Sequence, residues 1–179
     1  MKRVHLLFII FPLLSVVRFE SEATTLVSLS MEQKFALAER VLEVKVRATS
    51  SGWDDEKEKR EIRTSVEAEL VEAFKGKIPG KNGERKGVQF FLPGGIVGDI
   101  GQLVVGTPHI EVGDRFFIFL TSAGEPLGLG DGVYEIQLIE GKERVRQKGG
   151  EFEGTEIAGE ALVPVERFRK VLRELGQKR

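Results

Sequence analysis

The chain has 179 residues, with 27 basic side chains against 28 acidic ones and no cysteine. The missing cysteines exclude disulfides, thiolate catalysis and thiolate metal sites, so a hydrophobic core must supply the stability. A charge so near balance gives no general pull toward nucleic acid or an anionic membrane.

The first residues read MKRVHLLFIIFPLLSVVRFESEA. Lys2 and Arg3 precede an apolar run, Val4–Val17, and Ser21-Glu22-Ala23 offers small residues where a signal peptidase reads them. This is the layout of a secretory signal. The run falls short of the roughly 20 apolar residues a spanning helix needs. The expectation is a signal peptide over 1–23, a secreted or periplasmic (cell-envelope) destination, and no stable membrane anchor after cleavage. Residues 24–179 then suit one domain with its own core.

Ser30 and Gln33 have the spacing of a capping box, which predicts a helix over about 30–40 with Phe35 and Ala38 on its inner face. Val41–Ala48 switches to period two and reads as a half-buried strand. Thr49–Arg60 reads as a polar loop whose one large apolar residue is Trp53. Ile62–Phe74 alternates again, as a long strand antiparallel to the first. Lys75–Gly87 carries Pro-Gly and Asn-Gly turn marks. Val88–Leu92 is an apolar strand ended by Pro93-Gly94-Gly95, since proline has no amide proton to donate and glycine accepts positive φ.

Ile96–Gly106 carries glycines at 98, 101 and 106 among β-branched residues, and reads as a strand bent at the corners of a small barrel. Thr107-Pro108 closes it and Glu111–Asp114 turns. Arg115–Leu120 is nearly all apolar, as a central strand buried on both faces would be. Gly124–Gly132 is a loop, and Val133–Ile139 with Glu143–Gln147 forms a hairpin. Lys148–Gly159 is a polar excursion. Pro164 opens a last helix to about 175, with Val165, Phe168, Val171, Leu172 and Leu175 in one stripe. The fold class expected is all-β with terminal helices: a small OB-like Greek-key barrel with the C-terminal helix packed on it. An open two-layer sandwich is the alternative.

Several turns recur in an order that resembles a family of exported bacterial β proteins without an assigned activity. The matching pieces are Phe74-Lys75-Gly76, Phe91-Leu92-Pro93-Gly94-Gly95, Val105-Gly106-Thr107-Pro108-His109, Val112-Gly113-Asp114 and Ile118-Phe119-Leu120. They cover roughly residues 28–140. That family is in turn distantly similar to the OB barrels of netrin-like and tissue-metalloproteinase-inhibitor domains. The second step is a likeness of fold alone. Those inhibitors place an N-terminal cysteine on the protease zinc, and this chain has no cysteine, so that contact does not carry over.

Catalytic chemistry finds little to build on. With His5 in the signal, His109 is the one imidazole left, and one histidine makes neither a Ser-His-Asp triad nor a zinc site. Asp54-Asp55-Glu56 lacks the ligand spacing and turn glycine of a calcium loop and reads as a solvated run. Gly94-Gly95 and the glycines after it lead into β-branched residues, not into the helix a phosphate loop needs. No cofactor motif is present. The expectation is therefore a non-enzymatic module that binds a protein partner, a secreted protease being one candidate. The contact surface expected is Trp53, Pro93, Gly94, Gly95, Thr107, Pro108 and His109. Inhibition of a secreted metalloprotease is one alternative. Another is a carbohydrate- or oligonucleotide-binding OB-like domain, against which the burial of the phenylalanines in strands argues, because stacking needs exposed rings.

Overall fold

The computed structural model describes residues 29–54, 60–77, 87–147 and 162–178. The signal segment, Asp55 and Glu56, and the 148–159 excursion lie outside the described residues.

Helix α1 (Met31–Leu37) starts at the expected box: Ser30 Oγ accepts from the Gln33 amide and Gln33 Oε1 accepts from the Ser30 amide. It stops at Leu37 because Ala38 is already extended. The carbonyls left over at its C-terminus accept from one ammonium, Lys75 Nζ, which reaches the oxygens of Phe35, Ala36 and Ala38. A cation there also suits the negative end of the helix dipole.

Strands β1 (Arg40–Asp54) and β2 (Glu61–Lys75) pair antiparallel along their whole length. Register shifts at Val41/Leu42, Glu43/Val44 and Val46/Ala48 bend the pair. Strand β3 (Gly87–Pro93) lies on the far side of β2, and after a long connection the sixth strand, β6 (Arg115–Leu120), returns to lie beside β1. The order β6-β1-β2-β3 is a Greek key. Strands β7 (Val133–Ile139), β8 (Lys142–Gln147) and the two-residue β9 (Val163–Pro164) extend the sheet beyond β6. Strands β4 (Gly95–Val97) and β5 (Ile100–Gln102) form a separate hairpin inside the long connection.

The class is therefore all-β with helices. Helix α2 (Val165–Gln177) packs on the sheet through Val165, Phe168 and Leu172. The sheet runs from β3 to β9, and no pairing between these two edges occurs among the described residues. The β3 edge is instead tied to the loop after β6, where the Phe91 amide donates to the Gly124 carbonyl at 2.9 Å.

Two cores follow from the period-two pattern of β6. Phe116, Ile118 and Leu120 face the hollow of the bent β1-β2-β3 sheet, against Val44, Val66 and Phe90. Phe117 and Phe119 face the helices, with Phe168 4.6 Å from Phe117 ring to ring. Two charges are buried with them. Glu43 of β1, fully buried, accepts from Arg169 of α2 at 2.7 and 2.8 Å and from Arg115 at 3.0 Å. Lys34 of α1 donates to the Asp131 carboxylate at 2.7 Å and to the Tyr134 hydroxyl at 2.9 Å. Both partly replace the hydration that burial removes.

Candidate functional site

The expected contact residues gather only in part, at the end of the sheet where β1 finishes and β3 turns away. The turn is glycine for a steric reason. Gly95 has φ +138, and a Cβ there would stand 2.4 Å from Ser51 Oγ and 2.5 Å from Thr64 Oγ1. Those two hydroxyls bond each other at 2.8 Å, and Thr64 Oγ1 also donates to the Gly94 carbonyl at 2.7 Å. The Gly94 amide donates to the Ile62 carbonyl at 2.7 Å. Pro93-Gly94-Gly95 is thus fastened to the ends of β1 and β2.

The chain leaves this turn as the β4–β5 hairpin. Gly98, at φ +59, and Asp99 make its two-residue tip. The Gln102 side chain reaches back to accept from the Ile62 amide at 2.6 Å, which holds the base of the hairpin. The following segment is held from the other side. The Gly130 amide donates to the Gly106 carbonyl at 2.8 Å, and the Thr107 hydroxyl donates to the Pro93 carbonyl at 3.3 Å. Leu129, a non-glycine residue at φ +58, lays its side chain against Gly106. Left-handed backbone at a leucine is strained by about 1–2 kcal/mol. Here Asp131, held by Lys34, Tyr134 being next to it, fixes the turn that contains Leu129.

Between these supports the hairpin carries bare aliphatic side chains. Ile96 is 72 % exposed, Ile100 55 %, Leu103 91 % and Val105 75 %. The reading of Ile96–Gly106 as one bent core strand is therefore corrected to two three-residue strands followed by irregular chain. A mix of glycine and β-branched residues has the same composition in a barrel corner as in a hairpin. What breaks it into a hairpin is the double-glycine turn before it, which lays β4 against the ends of β1 and β2 at Ser51 and Thr64.

Trp53 is also corrected. It lies within β1, opposite Ile62, and not on a loop. It is half-buried, with the Arg60 guanidinium 5.5 Å from its ring. On the outer side of the same strand ends is a shallow depression of about 440 Å³ lined by Ser50, Trp53, Arg63, Ser65 and Phe91. Arg63 lies 3.9 Å above the Phe91 ring and 3.3 Å from Glu125 Oε1. Gly94 and Pro108 are buried, so neither offers a side of its own to a partner. His109 stands apart: its ring is solvent-exposed and 2.9 Å from Glu111. The turn after it is tied to Val46, seven residues back along β1 from Trp53.

Burial, and then the nearby Asp131 charge, push the Tyr134 hydroxyl well above its usual range. Hydrogen bonds from Arg169 to Glu43 keep that guanidinium protonated beyond even its ordinary range. Among the described residues no three His, Asp or Glu side chains are grouped to hold a metal ion, and no helix is long and apolar enough to cross a membrane. No family model, curated protein or solved structure matches the chain.

Proposed function

We propose that this chain is an exported, non-enzymatic binding module that meets a protein partner through the sheet end formed by Trp53, the Pro93–Gly95 turn and the β4–β5 hairpin. The observation that carries the reading is the cluster of exposed aliphatics at Ile96, Ile100, Leu103 and Val105. Scattered surface leucines are normal in a monomer, whereas four exposed aliphatics within ten residues of one anchored segment are a concentration of the kind found at interaction sites.

Their exposures add up to about three whole side chains. At about 1.5–3 kcal/mol for burying each, the patch supplies roughly 4–9 kcal/mol before association is charged for. Lost rigid-body freedom takes about 4–15 kcal/mol. The patch can therefore anchor a complex, while polar groups beside it, such as Arg60, Arg63 and Gln102, must add to it. No lysine or arginine occurs from Gly87 to Asp114. That favours protein over nucleic acid or anionic lipid, whose binding depends on cations.

The test is a quantitative pull-down from the secreted and envelope fractions of the source with the mature chain. The pair Ile96→Lys/Leu103→Lys is expected to lose the captured protein at least tenfold, and Leu138→Lys, an exposed site on β7, to keep it. Equal capture by both variants would remove the hairpin from the contact.

A further inference from the structure

We infer that an internal water molecule bridges the Tyr134 hydroxyl and the side-chain carbonyl of Gln147, inside the polar cluster that α1, β7 and β8 gather around Asp131. The site belongs to the interior and stands apart from the protein-binding reading above.

The protons of this cluster can be assigned one by one. An ammonium has three. Lys34 gives one to the Asp131 carbonyl at 3.1 Å, one to the Asp131 carboxylate at 2.7 Å and one to the Tyr134 hydroxyl oxygen at 2.9 Å. Tyr134 Oη therefore accepts from Lys34, and its own proton points elsewhere. Among the described residues no acceptor meets that proton. On the facing strand, Gln147 Nε2 donates to Asp131 Oδ1 at 2.6 Å and to the Asp131 carbonyl at 3.4 Å. Gln147 Oε1 is buried and has no partner. Turning the amide over offers no relief, because it sets Oε1 against the Asp131 carboxylate, acceptor against acceptor. One donor and one acceptor are thus left over, and buried polar groups are seldom left so.

Their position brings the two together. Tyr134 and Gln147 are direct partners in the β7–β8 ladder. Side chains opposite each other in an antiparallel pair share a face, with Cβ atoms about 4.5–5.5 Å apart. Both also converge on Asp131, Gln147 directly and Tyr134 through the Lys34 ammonium. They do not bond each other, since Oε1 has no partner within hydrogen-bonding distance.

Chemistry narrows what fits between them. The bridging group must accept from a phenol and donate to an amide oxygen. A metal cation cannot accept the phenol proton and would crowd the Lys34 ammonium. A proton-free anion has nothing to give Oε1. A buried water needs two to four polar partners, and this pair supplies two. A larger alcohol or amide needs room, and the Tyr134 ring is already packed by Phe119 and Phe168, with ring centres 5.6 and 5.2 Å away. The water closes the ring of bonds that fixes Asp131 and, with it, the turn that carries Gly130.

A high-resolution crystal structure of the mature chain tests the site. Solvent density is expected about 2.5–3.0 Å from both Tyr134 Oη and Gln147 Oε1. No density there, density bonded to one of the two alone, or Oε1 bonded directly to a protein group would each overturn the bridge. In solution, a slowly exchanging water should give a nuclear Overhauser contact with the Tyr134 ring protons. Gln147→Met keeps the length of the side chain and removes the acceptor, and should weaken that contact at least tenfold. A contact unchanged in this variant would come from exchange of the phenol proton with bulk solvent, and the bridge would fall. Should the variant not fold, the wild-type density decides alone.

Discussion

Arg169→Met tests how α2 is held to the sheet. Glu43 is fully buried, and Arg169 supplies two of its three hydrogen bonds, one to each carboxylate oxygen. Methionine fills much of the same volume and cannot donate. Glu43 Oε2 would lose its partner, and Arg115 alone would face the carboxylate. Breaking a buried pair from one side costs about 3–5 kcal/mol. Because Arg115 stays and the Arg169 side chain is 16 % exposed, the lower end, about 3 kcal/mol, is expected. At about 2–4 °C per kcal/mol for a chain of this size, the melting temperature should fall by roughly 6–12 °C. Urea unfolding gives the free energy directly. The double variant Glu43→Leu/Arg169→Leu removes both charges, and Arg115 keeps Glu143 at 2.6 Å. It should recover most of the loss, since apolar replacement of a buried pair is often neutral or better. A single-variant loss below about 1 kcal/mol, or a double variant no more stable than the single, would refute the account of Glu43 as a desolvated charge held by α2.

Lys34→Met should cost about 2–4 kcal/mol, because Asp131 and Tyr134 keep buried polar atoms with fewer partners. It should also raise amide exchange at Gly130, whose bond to Gly106 depends on that turn, and unchanged exchange there would break the link. Tyr134 is the only tyrosine, so tyrosinate absorbance reports it alone. Its raised pKa means the folded state keeps a proton that the unfolded chain releases near pH 10. The contribution is complete below that pH and declines as pH rises above it. Tyr134→Phe should flatten this alkaline limb in urea titrations, and an unaltered limb would assign it to other groups. Gly95→Ala places a methyl group into Ser51 and Thr64 at positive φ and should cost roughly 1–3 kcal/mol. The single Trp53, two residues along β1 from Ser51, should report it as a changed fluorescence emission; wild-type emission and stability would show that the turn tolerates a side chain.

Local chemistry made the helix ends and the central strand legible. The Ser30–Gln33 box, the α2 stripe and the two-faced burial of Arg115–Leu120 all follow from spacing within a few residues. Strand ends were less legible where polar residues continue a ladder. Thr49–Asp54 is polar because its outer face meets water, yet it stays in β1 because β2 opposite it supplies backbone partners as far as Glu61. That is why Trp53 falls in a strand. Period two registers side chains and says nothing of a neighbour's length. The hairpin was hidden for the opposite reason. Its residues have core composition, and only the long-range contacts of Gly95 with Ser51 and Thr64 set the chain as a hairpin against the ends of β1 and β2. Neither buried ion pair left a local signal, since Glu43 and Arg169 lie 126 residues apart.

This arrangement separates what holds the fold from what meets solvent. Ile96, Ile100, Leu103 and Val105 belong to neither core cluster, whereas Phe117, Phe168 and Glu43 link β1, β6 and α2 at the other end. Lysine at Leu103, 91 % exposed, removes no buried contact and should shift stability by no more than about 0.5 kcal/mol. A loss of binding in that variant with an unchanged unfolding midpoint is then a surface effect. If Leu103→Lys instead unfolds the chain at lower urea by more than about 1 kcal/mol, the hairpin is part of the packed structure and its exposed aliphatics lose their meaning as a contact.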